Sequence, residues 1–264
     1  MLLVTDIGNT NIVFGGLADG KFQFRARIAT DRKKSSDQYS MTIRKLMRLN
    51  GVDPSEISDC IISSVVPPVL NSVRTGLQKI LQLKPMVVGP GLKTGLNIRV
   101  DDPARVGSDR IVAAVGALIS HEAPLILLDM GTATTLEVVG RNNTYLGGCI
   151  IPGVRTALDG LVSHSAQLPG ISLEAPKNVI GKNTEDCLKS GIVCGAAAMI
   201  DGMIERIEEE LGERATVLAT GGIAPLVVPL CQREIILEED LLLKGLAVIY
   251  SKNSRKKKKI SPAI

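Results

Sequence analysis

The stretch Leu2-Leu3-Val4-Thr5-Asp6-Ile7-Gly8-Asn9-Thr10-Asn11-Ile12-Val13-Phe14-Gly15-Gly16 decides how the rest of this chain is read. An apolar run, Leu2 to Val4, leads to Asp6. A turn of small polar residues follows, and a second apolar run, Ile12 to Phe14, leads away. That order predicts strand, tight turn, strand. Gly8 lets backbone approach a ligand closely, and successive N–H groups in such a turn form a nest for an anion. The side chains of Asn9, Thr10 and Asn11 add hydrogen-bonding groups. Asp6 repels phosphate, but it suits a magnesium ion that bridges to phosphate oxygens. Taken alone, the stretch reads equally as an ordinary hairpin whose Asp and Asn fix the turn.

The motif returns half a chain later. Leu125 to Gly140 reads Leu-Ile-Leu-Leu-Asp-Met-Gly-Thr-Ala-Thr-Thr-Leu-Glu-Val-Val-Gly. Asp129 falls where Asp6 fell and Gly131 where Gly8 fell, with Thr132 to Thr135 in place of the Asn/Thr turn. A duplicated fold would set two aspartate-bearing hairpins facing each other across a cleft. Two phosphate-cradling turns aimed at one triphosphate make physical sense, so the repeat favours a nucleotide site over two chance hairpins.

These hairpins, followed by Ala219-Thr220-Gly221-Gly222-Ile223-Ala224, resemble the phosphate 1, phosphate 2 and adenosine motifs of the sugar kinase, actin and heat-shock ATPase superfamily. Further segments narrow the match: Gly89-Pro90-Gly91-Leu92-Lys93-Thr94-Gly95, Val106-Gly107-Ser108-Asp109-Arg110 and Gly181-Lys182-Asn183-Thr184. In this order the set is similar to type III pantothenate kinases, up to about Tyr250. The resemblance implies an α/β chain of two duplicated ribonuclease H-like (actin-like ATPase) domains, residues 1–118 and 119–250, with a cleft between them. It also implies a reaction, transfer of the ATP γ-phosphoryl group to the 4′-hydroxyl of pantothenate at the start of coenzyme A synthesis.

Site residues follow from the same resemblance. Asp6, Ile7, Gly8, Asn9, Thr10, Asn11, Ile12, Val13 and Thr132 are expected at ATP, with Asp6 also positioning Mg2+. Val100, Gly107, Ser108, Asp109, Arg110 and Thr184 are expected at pantothenate, with Asp109 as proton acceptor. Asp129 is expected at a monovalent cation, K+ or NH4+. Two positions depart from the common pattern: Ser108 stands where relatives often have Ala, and Val100 where many have Tyr. Without the resemblance, Ser108 or Asp109 reads simply as the cap of an apolar helix, Ile111 to Ile119.

Composition bounds the rest. The 264 residues are 45% hydrophobic, enough for one or two domains with a real core. Scarce aromatics argue against a stacking platform for single-stranded nucleic acid. The net charge of +4 is carried by Arg255 to Lys259, which leaves a body near neutrality. The tail, 251–264, is therefore expected to be basic and disordered. Five cysteines without a Cys-x-x-Cys pair, no signal peptide and no long apolar span predict a reduced, cytoplasmic protein that does not enter a membrane. His121 and His164 have no metal-ligand spacing.

The remaining chain alternates strand and helix patterns, as an α/β domain does. Lys21 to Ala29 alternates like a half-buried strand. Ser36 or Asp37 is placed to cap a helix running to Asn50, and Pro67-Pro68 to start another. Gly89 to Gly95 lacks the Gly-Lys-Ser/Thr ending of a P-loop and reads as a connection or pocket wall. Arg99 to Arg110 reads as a charged loop. Asn183 and Asp186 resemble a helix start, and the helix beyond runs to Leu211 with small residues, Gly191 and Gly195 to Ala198, suited to a homodimer interface or to burial. A closing helix is expected over Glu239 to Ser251. Two other functions fit parts of this pattern: a superfamily kinase or hydrolase for another small molecule, or a non-catalytic regulator whose basic tail meets nucleic acid.

Overall fold

The structure is a computed structural model and describes residues 1–254. In chain order its elements are β1 (Leu2–Ile7), β2 (Asn11–Ala18), β3 (Lys21–Ala29), α1 (Ser36–Leu49), β4 (Asp59–Ser64), α2 (Pro67–Leu81) and β5 (Met86–Val87). β6 (Asn97–Ile98), α3 (Ser108–Ala117), β7 (Leu125–Met130), β8 (Ala133–Gly140), β9 (Thr144–Pro152) and α4 (Val154–Ser163) follow. The chain ends with α5 (Thr184–Leu211), β10 (Thr216–Thr220), α6 (Ala224–Val227), β11 (Ile236–Leu237) and α7 (Leu241–Asn253). The expected disorder of Arg255 to Lys259 lies outside the described residues.

These elements form two compact units. The first holds Met1–Leu96, Asp101–Ser120 and the chain from Asp240; the second holds Asn97–Val100 and His121–Glu239. The first unit is built on a sheet of order β3-β2-β1-β4-β5, with β1 parallel to β4 and antiparallel to β2. β1 is apolar on both faces because both are covered. Leu3 and Ile7 pack with Tyr39, Ile43 and Met47 of α1 and with Val69, Val73 and Leu77 of α2. Leu2 and Val4 pack on the other face with Val112 and Val115 of α3 and Leu243, Leu246 and Ile249 of α7.

The second unit repeats the plan. Its sheet runs β11-β10-β7-β8-β9-β6, so β9-β8-β7-β10-β11 matches the first sheet strand for strand and β6 is an addition at the edge. Ile126, Leu128 and Met130 of β7 pack against Val193, Ala196, Ala197, Ile200 and Ile204 of α5. Those α5 positions recur every three or four residues and form one buried stripe.

Four details differ from the sequence reading. The N-cap of α1 is Ser35, one residue earlier than expected, in a capping box with Gln38. β6 pairs in parallel with β9, so Asn97–Val100 leaves the first unit, although the split was expected only at 118/119. α7, expected in the second domain, packs in the first unit because its apolar face meets α3 and β1; it also runs on through Lys252 and Asn253, which were assigned to the tail. Lastly, α5 is long and apolar enough to cross a membrane by composition, the one such helix among the described residues, whereas no long apolar span was expected. Its apolar stripe is part of the second core.

Candidate active site

In the first unit, three segments meet at the carboxyl ends of β1 and β4, the end of an α/β sheet where ligands bind. The first is the hairpin. Gly8 N–H donates to Asn11 O (3.0 Å), closing the turn. Thr30, just past the end of β3, fastens it with its N–H on Thr10 O (2.8 Å) and its hydroxyl on Gly8 O (2.7 Å). Ile7 and Ile12 are fully buried in the core, so only their backbone can meet a nucleotide, whereas Asn9 and Thr10 are exposed at the tip. Asp6 and Val13 sit opposite each other, half-buried, at the base of the hairpin.

The second segment is the end of β4. Ser63 and Ser64 lie beside Asp6 and Ile7 in the parallel register, and Val65 N–H donates to Ile7 O (3.1 Å). The third is the start of α3. Its N-cap is Gly107, without a side-chain cap, so neither Ser108 nor Asp109 is the cap residue that the sequence suggested. The Ser108 hydroxyl turns instead to β4. It lies 3.0 Å from Ser63 Oγ, donates to Ser64 O (3.1 Å) and accepts from Ser64 N–H (3.2 Å). Asp109 Oδ1 accepts from Arg110 N–H (2.8 Å), one of the donors that a helix start leaves over. A Cβ on Gly107 would stand 2.5 Å from that carboxylate oxygen, so the glycine leaves room for it.

Sequence reasoning missed three members of this half, Ser63, Ser64 and Arg32. Ser63 and Ser64 close β4, a strand whose other inward residues are apolar and carry no site motif. Arg32, between β3 and α1, donates from Nη2 to Asn9 Oδ1 (3.1 Å) and brings a cation to the hairpin tip. Asp31, Arg32 and Lys33 carried the signal as charges close in sequence to a strand that pairs with the hairpin.

The second unit holds the other expected residues. Asp129 is the penultimate residue of β7, opposite Thr135 on β8 and Thr220 on β10. Its hairpin closes one residue tighter than the first: Gly131 N–H donates to Ala133 O (2.9 Å). Of the four residues from Thr132 to Thr135, only Thr132 is therefore exposed in the turn, and Thr134 is buried. Thr132 O accepts from Gly153 N–H (3.1 Å) and from the Thr156 hydroxyl (2.7 Å), both at the start of α4. Gly221, at φ +97°, lies where a Cβ would come within 2.6 Å of Met130 O. The adenosine-like turn thus needs a glycine to press on the base of the hairpin.

Val100 belongs to this unit, against Gly147 of β9, whereas Gly107–Arg110, with which it was grouped at pantothenate, belong to the first unit. Thr184 is exposed as the first residue of α5, behind an Asn183 cap that accepts from Asp186 N–H (2.8 Å). Among the described residues no cluster of three or more His, Cys, Asp or Glu side chains could hold a metal.

The duplicated sheets, each with an aspartate-bearing hairpin at its end, define an ATPase-type fold of the actin and sugar kinase class. The chain aligns over 99% of its length with a 2-dehydro-3-deoxygalactonokinase from Sinorhizobium meliloti, covering 99% of that chain at TM-score 0.58 and 10% identity. It aligns over 95% with a protein described as a Baf family transcriptional activator from Campylobacter jejuni, covering 98% of that chain at TM-score 0.60 and 19% identity. At such identities the likeness concerns the fold alone. The sequence goes further: the model of the type III pantothenate kinase family matches residues 2–206. A type III pantothenate kinase from Bacillus cytotoxicus is 40% identical over 254 residues, 96% of this chain and 97% of that one. The chain belongs to the type III pantothenate kinase family.

Proposed function

We propose that this chain phosphorylates pantothenate to 4′-phosphopantothenate with ATP, the first step of coenzyme A synthesis, and that Asp109 is the base. The observation that carries the residue assignment is the joining of the Asp6 hairpin, the end of β4 and the start of α3 in one hydrogen-bonded corner. Asp6 would hold magnesium through ATP, and the backbone from Ile7 to Val13 would follow the phosphates, as Thr132 would from the second hairpin. Arg110 and Arg32 supply positive charge for phosphate oxygens. Gly107, Asp109, Arg110, Val100 and Thr184 remain the residues assigned to the pantothenate side.

Phosphoryl transfer asks the protein mainly for positioning and charge stabilisation. Asp109 would orient the acceptor hydroxyl and take its proton as the new P–O bond forms and ADP leaves. Bound metal ions neutralise part of the phosphate charge. Asp129 would bind K+ or NH4+. A cytoplasmic setting is supported by five free cysteines. A homodimer is supported by exposed apolar residues of the second unit, Ile150, Val179 and Ile180, and by Gly191 and Gly195 on α5, which have open space beside them.

The test is ADP release with and without pantothenate, in potassium, ammonium and sodium buffers of equal ionic strength. Turnover is expected only with pantothenate, high in potassium or ammonium and low in sodium, and Asp129→Ala is expected to abolish that distinction. Release that ignores pantothenate removes the acceptor assignment; equal rates in all three salts remove the cation site.

A further inference from the structure

We infer that Ser108 is a positioning residue for catalysis, acting through Asp109, rather than a pantothenate contact. The inference rests on the reading of Asp109 as the base. The Ser108 hydroxyl has one proton to donate and two lone pairs to share. It lies 3.0 Å from Ser63 Oγ, donates to Ser64 O (3.1 Å) and accepts from Ser64 N–H (3.2 Å), so β4 already uses its capacity. Ser63 is fully buried, and no substrate reaches it.

The direction of these bonds matters. α3 has no side-chain cap and begins after Gly107, so little within the helix itself fixes its first turn. Ser108 joins that turn to the last residue of β4 through both backbone groups of Ser64. The same strand end is joined to the first hairpin by Val65 N–H on Ile7 O (3.1 Å) and by the pairing of Ser63 with Asp6. Asp109 is the next residue after Ser108. The tether therefore sets the distance between the carboxylate assigned to the acceptor and the carboxylate assigned to magnesium and ATP. A misplacement on the order of 1 Å at such a pair can cost about a hundredfold in rate. A small residue without the hydroxyl would still fold but would leave the first turn of α3 free to drift.

The test measures Ser108→Ala, Asp109→Asn and the double variant for kcat, both KM values, nucleotide affinity by direct titration, and thermal midpoint. Ser108→Ala is expected to lower kcat by about three- to tenfold, short of the full misplacement cost because the helix stays anchored by its core. The KM for pantothenate and the nucleotide affinity should move less than about twofold, as for loss of an interaction that counts in the transition state alone. In the Asp109→Asn background the same change should add almost nothing, because a residue that acts through another loses its effect when that other is gone. A raised KM for pantothenate with kcat intact overturns the inference and returns the hydroxyl to substrate. Equal losses in both backgrounds overturn it too, since they describe a merely structural serine. An Asp109→Asn variant as active as the unmodified protein ends the base assignment, and the tether's catalytic role with it. A silent Ser108→Ala beside a crippled Asp109→Asn overturns the inference alone.

Discussion

At the scale of single residues, the question is what an acid at position 109 is for. Its carboxylate serves one N–H of its own helix turn, a job that asparagine does equally well. If that were its whole role, Asp109→Asn would be nearly silent. As the base it cannot be replaced so, and turnover should fall by about 10² to 10⁴ while nucleotide affinity holds. Stopped assays of turnover beside a binding titration decide this; a folded variant within threefold, about 0.65 kcal/mol, leaves Asp109 only a local role in the first turn of α3. Arg32 poses the opposite case, a residue found only in the structure. Its guanidinium reaches the tip of the first hairpin through Asn9. Arg32→Ala should therefore raise the KM for ATP several-fold with kcat nearly kept, since an exposed cation contributes on the order of 1 kcal/mol to phosphate binding. A KM for ATP that does not move shows that the side chain only braces the loop.

At the scale of elements, what the sequence carried well was local. The two hairpins were legible because an apolar run, an acid and a small-residue turn lie within fifteen consecutive residues. Helix starts at Pro67 and Asn183 were legible for the same reason, and the cap of α1 was misplaced by only one residue, to Ser35. Long-range contacts were not. Nothing local marks Ser108 as a partner of Ser64, 44 residues away. Nothing local shows that Gly116 of α3 and Gly245 of α7 face each other's helices, where an added Cβ on either would overlap backbone, Leu241 O in one case and Val112 O in the other. These glycines let α3 and α7 touch through their main chains, which seats the helix that begins with the Asp109 turn. Gly245→Ala should force the pair apart and destabilise the fold by about 1 to 3 kcal/mol. A calorimetric midpoint unchanged from that of the unmodified protein would mean that the helices separate freely. Kinetics give a second reading, because a shifted α3 should also lower kcat.

At the scale of the whole molecule, duplication was legible and chain routing was not. The repeat of Asp6 in Asp129 announces two sheets of one design, and both have the strand order expected of a duplicated pair. Pairing of β6 with β9 and burial of α7 against β1 depend on contacts between segments more than forty residues apart, so no boundary read along the chain could find them. The same limit applies to assembly. Exposed apolar side chains are ordinary when scattered, but a protein with Val179 at 74% and Ile180 at 81% exposure next to the start of α5 keeps two large hydrophobes in water at one place. Gly191 and Gly195 add a flat stretch on α5 itself, where another backbone can come close. In the proposed homodimer a second copy of the chain would cover both at once, and a twofold arrangement would apply each contact twice. Sedimentation equilibrium at micromolar concentration should then report twice the chain mass of 28.0 kDa. Gly195→Glu should push the equilibrium toward single chains, because a charged side chain on a flat helix contact must be desolvated to dimerise. Its thermal midpoint at high dilution, where the unmodified protein is also dissociated, should be no lower than that of the parent, since a Cβ at position 195 meets no described residue within 4 Å and loss of a mid-helix glycine favours the helix. A unit mass for the unmodified protein across that concentration range would refute the dimer and leave the exposed pair, Val179 and Ile180, without a role in self-association.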